Sequence, residues 1–200
     1  MKGSGPVPLP AVGLLALPAA AEAHLVTSGL GPFYDGALHL LLSPADLLGL
    51  VAAALLAGLR GRRAARLTVV ALPVAWLLAG FVGMALSLSP GLEWLGVLSF
   101  LILGVLVAAD ARLSPGFVAL LGASYGALHG LMNGAALLAM GAGGTSLLGI
   151  GLTVLLIALL TSATVVPLQA FWARTAVRVA GSWVAAIGIL MLGWLSHGVA

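Results

Sequence analysis

The chain is predicted to fold as an all-α membrane protein, a six-helix transmembrane bundle behind an N-terminal signal peptide. Three observations carry that expectation. Hydrophobic residues make up 62% of the chain and charged residues 6%, with a mean hydropathy of +1.23. Soluble domains carry about a quarter charged residues, so this sequence lacks the polar surface that water demands. Apolar runs of about 20 residues recur, the length that crosses a hydrocarbon core as a helix, without the strict alternation of a membrane barrel. Finally, the arginines crowd into alternate loops, a distribution that orients a membrane protein and offers no basic face to a nucleic acid.

Taken in order, residues 1–23 read as a signal peptide and 24–200 as a single six-span domain. Lys2 forms a thin basic start, Leu9 to Leu17 a short apolar core, and Ala21-Glu22-Ala23 a small-x-small cleavage site. Cleavage there makes His24 the new N-terminus; the alternative is an uncleaved, proline-broken anchor. The expected spans are Ala45–Leu59, Leu67–Leu88, Leu92–Ala109, Phe117–Met140, Leu147–Leu168 and Val177–Ser196. Three begin at Ser-Pro pairs, Ser43-Pro44, Ser89-Pro90 and Ser114-Pro115. Serine can cap free helical N–H groups, and proline at the first helical position loses no hydrogen bond. The first span is short for a bilayer, so Tyr34 to Leu42 is expected to extend it as a separate helical turn or interfacial segment.

Arg60, Arg62, Arg63 and Arg66 lie between spans one and two, Arg112 between three and four, Arg174 between five and six, and Arg178 at the start of six. The loops at Ser89–Gly91 and Gly141–Ser146 carry no basic residue. The positive-inside rule then predicts a multi-pass protein of the bacterial inner membrane with both mature termini outside. The chain has no cysteine, which excludes disulfides and thiolate chemistry.

Two polar islands interrupt the hydrocarbon. Residues 33 to 46 carry Asp35, His39 and Asp46, and residues 124 to 134 place His129 and Asn133 within a span. Ionisable groups inside a membrane are expensive and mark function by default. Around the second island, Gly122, Gly126, Gly130 and Gly134 repeat every four residues, beside a polar stripe of Tyr125, His129 and Asn133. Small residues at that spacing admit a close helix neighbour; the plainer reading of His129 is a histidine bonded across that helix pair. Asp46 has two readings, a functional carboxylate or a helix-start residue bonding back to backbone N–H groups. A continuous helix would bring His39 onto its face, and Asp35 and His39 are four apart. His24, if exposed by processing, offers an α-amine and an imidazole to one transition metal, or is an ordinary loose terminus.

The His39–Asp46 and His129–Gly134 islands, the His24 start and the six spans resemble the HupE/UreJ family of hydrogenase and urease accessory membrane proteins, in a divergent branch. The run Gly29-Leu30-Gly31-Pro32-Phe33-Tyr34-Asp35-Gly36, then Ser43-Pro44-Ala45-Asp46-Leu47-Leu48 and Leu55 to Arg60, carries the likeness across the mature chain. The better-known branch has a histidine, five residues, then Asp-His; here six residues separate His39 from Asp46, and Leu47 follows. Its second motif, Phe-His-Gly-x-Ala-His-Gly-x-Glu, reads here as Leu128-His129-Gly130-Leu131-Met132-Asn133-Gly134-Ala135-Ala136. The resemblance implies nickel or cobalt uptake.

Imidazole, carboxylate and amide oxygen together suit a borderline divalent cation, and the nitrogen pair of a processed His24 extends the expectation to copper. The expected metal-handling residues are His24, Asp35, His39, Asp46, His129 and Asn133. The ion is cargo, and no tightly bound cofactor is expected. The expected partners are the lipid bilayer and the divalent metal ion, with a second copy or metalloenzyme maturation proteins left open and no nucleic acid. A non-transporting scaffold for metalloprotein assembly is the competing function, with the glycine stripe as its docking feature. An intramembrane enzyme is disfavoured, because Ser124 does not share a helical face with His129.

Overall fold

The computed structural model describes residues 28–86 and 92–197. Among them the chain is all-helical: α1 Pro32–Leu42, α2 Pro44–Leu59, α3 Arg62–Gly83, α4 Glu93–Ala108, α5 Pro115–Ala139, α6 Gly144–Val165 and α7 Phe171–His197. The expected signal peptide, its cleavage site, His24 and the Ser89-Pro90 start lie outside the described residues.

Proline sets three of the helix starts, Pro32 opening α1. Pro44 and Pro115 both stand at the first helical position, and Ser114 Oγ accepts the Phe117 N–H at 3.3 Å. Pro44 also separates α1 from α2 by a 77° bend, so the expected extension of the first span is a helix in its own right. That bend overturns the continuous helix that would have carried His39 and Asp46 on one face. α3 starts five residues before its expected limit, because Arg62, Arg63 and Arg66 prolong the helix beyond its apolar stretch.

Three helices, α3, α6 and α7, are long and apolar enough to cross a membrane, and the bent α1–α2 pair makes up to four. Among the described residues this measure accounts for three or four of the six expected spans. α4 is 16 residues long, and α5, although 25 residues long, is diluted by its tyrosine, histidine, asparagine and glycines.

α2 is the central post. Eleven of its sixteen residues are buried, and it touches each of the other six helices. Around it α3 packs along α5, α4 along α7, and α1 against α6. The α3–α5 pair explains the glycine stripe: a Cβ on Gly126, Gly130 or Gly134 would collide with the backbone of Leu72, Trp76 or Gly80. The stripe is thus covered by the protein's own α3. Opposite faces present Val70, Leu78, Leu160, Ile189 and Trp183, all exposed, as a lipid-facing surface requires.

At the arginine-bearing end, Asp110 closes the bundle. It accepts from Arg60 at the end of α2 and, with both oxygens at 3.1 Å, from Arg174 at the start of α7. Arg178 Nε reaches the Ala108 carbonyl at 3.0 Å.

Candidate functional site

The bend at Ser43-Pro44 delivers Asp46, in the first turn of α2, to the middle of the polar stripe on α5. Its carboxylate turns inward rather than back to its own helix start. Asp46 Oδ1 lies 2.6 Å from His129 Nδ1, and Asp46 Oδ2 accepts from Asn133 Nδ2 at 3.0 Å. All three side chains are buried. The spacing of four on α5 is what lets His129 and Asn133 reach one carboxylate together; Asn133 Nδ2 also bonds the His129 carbonyl at 2.9 Å.

Tyr125, one turn earlier, stacks on the imidazole at 4.1 Å between ring centroids. Its hydroxyl donates to the Asp46 carbonyl at 2.7 Å, tying α5 to the start of α2. Gly49 makes this possible, since a Cβ there would run into the tyrosine ring. Trp76 of α3, fully buried, adds a second aromatic wall 5.9 Å from the imidazole. Aromatic faces and a carboxylate are all favourable neighbours for positive charge.

The sequence reading missed Ser99. Its Oγ lies 3.0 Å from His129 Nε2 and bonds the Gly96 carbonyl at 2.6 Å. With the carboxylate on Nδ1, the second ring nitrogen, Nε2, is the one that meets Ser99. The serine hydroxyl can donate to that nitrogen, or accept from it while donating to Gly96, so it satisfies the ring in either charge state. A lone hydroxyl within Leu95–Leu103 gave no periodic signal that it would face another helix.

Serine, histidine and aspartate in sequence also supply the nucleophile–base reach that Ser124 lacks. The shorter bond of the Ser99 hydroxyl, however, runs to its own helix. That is the usual local bonding of a helical serine, and it directs the proton away from the imidazole.

Of the six expected metal-handling residues, the structure joins Asp46, His129 and Asn133. Asp35 accepts instead from the N–H and hydroxyl of Ser28, at 2.6 and 2.5 Å. Half-buried His39 stands on α1, across the bend from Asp46. Among the described residues no three His, Cys, Asp or Glu side chains gather closely enough to hold a metal. The cluster therefore has two such groups, with amide and hydroxyl oxygens around them. Asn133 Oδ1 is buried without a hydrogen-bond partner, an acceptor left free beside a carboxylate.

Apolar helices around a buried carboxylate–imidazole–amide cluster define a helical membrane protein with a polar core. The sequence matches the model of the HupE / UreJ protein family over residues 12–191, and the chain belongs to that family. No curated protein and no solved structure matches it.

Proposed function

We propose that this protein is a transition-metal permease that imports nickel or cobalt, with copper a further candidate, through an outward-facing His/Asp site. The observation that carries the reading is the buried Asp46–His129 pair with the unpartnered Asn133 Oδ1 beside it. Carboxylate, imidazole nitrogen and amide oxygen are acceptable ligands for a borderline divalent cation, and two strong ligands hold it loosely enough for release. The broken α1–α2 pair supports the same reading, since interrupted membrane helices commonly form the binding sites of transporters. Family membership adds weight, the family being associated with nickel or cobalt uptake and with accessory roles for metalloenzymes.

In this account six spans cross the bacterial inner membrane, the arginine-bearing ends face the cytoplasm, and both mature termini face out. Asp35 and His39 on α1 line the approach. An ion arriving there takes His129 Nδ1, Asp46 and Asn133 Oδ1, while the ring proton moves to Nε2, where the Ser99 hydroxyl accepts it. An inside-negative potential favours a doubly charged ion by about 4.6 kcal/mol per 100 mV over the full field.

The test is metal accumulation in cells expressing wild type, His39→Ala or His129→Ala at matched membrane levels. Nickel, cobalt, copper and zinc are offered separately. Uptake of one metal that both substitutions abolish supports the permease and its path. Equal accumulation in all strains rejects transport and leaves the scaffold for metalloprotein assembly, whose glycine stripe is already occupied by α3.

A further inference from the structure

The chain has only five carboxylate side chains for eight cationic ones. Asp46 is taken by His129, Asp35 by Ser28, and Asp110 by Arg60 and Arg174. Glu93 opens α4, at the opposite end of the bundle from the start of α3, and Glu22 lies outside the described residues. Arg62 and Arg66 in the first turns of α3 are exposed and have no carboxylate partner among the described residues.

These two arginines are four residues apart and share a helical face. With Ala65 and Val69 they line one side of a cavity of about 390 Å³, whose other side is Leu159 and Ala163 of α6 and Val166 just past its end. A second cavity of about 450 Å³ continues between the same helices, from Pro73 and Leu77 to Leu148, Gly151 and Leu155. The two share Val69 and Val70. Together they make one long apolar groove on the outside of the bundle, with two guanidinium groups at one end that have no carboxylate partner among the described residues.

We propose that this α3–α6 groove is a binding site for an anionic phospholipid. Charge complementarity selects the occupant. The arginines stand where the apolar face ends, which a membrane-spanning α3 would place at headgroup depth, and guanidinium is well matched to a phosphate diester. Basic pockets between membrane helices are a recurrent mode of anionic lipid recognition. A zwitterionic lipid brings the same phosphate, but with a quaternary ammonium that meets the arginines as a like charge. The wall residues below offer an acyl chain an almost wholly apolar bed.

Native mass spectrometry of the detergent-purified protein tests this, with phosphatidylglycerol and phosphatidylcholine of identical chains supplied in equal amounts, and glycerol phosphate in a separate arm. Wild type should retain phosphatidylglycerol several-fold over phosphatidylcholine and retain no glycerol phosphate. Arg62→Gln/Arg66→Gln should lose the preference, whereas Arg63→Gln should keep it. Ala163→Phe, which fills the groove below intact arginines, should lower retention of phosphatidylglycerol with an unchanged melting temperature in lipid-free detergent. Equal retention of both lipids by wild type overturns the proposal. So does an Arg63→Gln effect as large as that of the double variant, which reduces the site to diffuse charge. A dimer seated on the groove, released by Ala163→Phe, would overturn it in favour of a second copy.

Discussion

At the residue scale, His129 is held from three directions: Asp46 on one nitrogen, Ser99 on the other, and Tyr125 across its face. These contacts have different consequences for transport. Removing His129 or neutralising Asp46 by Asp46→Asn takes away a proposed ligand outright, and metal accumulation should fall to background. Asn133→Ala removes the free amide oxygen and the donor that orients Asp46, a loss we expect to lower uptake by roughly tenfold, as for supporting groups around metal sites. Ser99→Ala leaves all three ligands in place and should retain uptake. Measuring the four variants side by side at matched expression decides the matter: Ser99→Ala as inactive as His129→Ala would make the hydroxyl, rather than the ion ligands, the working group. Asp46, His129 and Asn133 were legible in the sequence because charge and amide stand out against hydrocarbon. Their convergence was not, since it depends on a 77° bend that composition does not encode.

At the element scale, the glycine stripe showed that α5 would take a close neighbour, but not which one. The neighbour is α3, whose carbonyls at Leu72, Trp76 and Gly80 approach the bare glycines. That pairing brings Trp76 alongside the imidazole and fixes the register of the polar stripe. Gly130→Ala should therefore destabilise the protein by about 1–3 kcal/mol, the usual cost of overpacking, whereas Gly116→Ala, with open space around it, should not. Thermal melting in detergent separates them, and equal midpoints would contradict the close approach. The Ser-Pro pairs marked the starts of α2 and α5 within a residue or so, because proline tolerates only the first turn of a helix. Helix ends in arginine-rich stretches were harder to read: hydropathy marks where a span leaves the lipid, and α3 begins before that.

At the scale of the whole molecule, the arginine pattern and the ion cluster at Asp110 lie at one end of the bundle, and the expected access route lies at the other. Asp110→Ala strands the guanidinium of Arg60, only 10% exposed as a side chain, and should lower the melting midpoint, corresponding to about 2 kcal/mol for a partly buried pair. Orientation is directly testable because the chain has no cysteine. In intact cells a membrane-impermeant maleimide should label Ser196→Cys, and it should label Arg63→Cys only after permeabilisation. The reverse pattern would invert the bundle and the direction of the proposed pathway.

The central claim, that Asp46 and His129 form the ion site of a permease, meets its most direct test in proteoliposomes. Purified wild type and Asp46→Asn would be reconstituted around a metal-sensitive dye, with an imposed inside-negative potential and external nickel or cobalt. The account predicts metal influx with wild type and none with Asp46→Asn. Wild-type vesicles as impermeable as empty ones, with the protein folded and inserted, would contradict it.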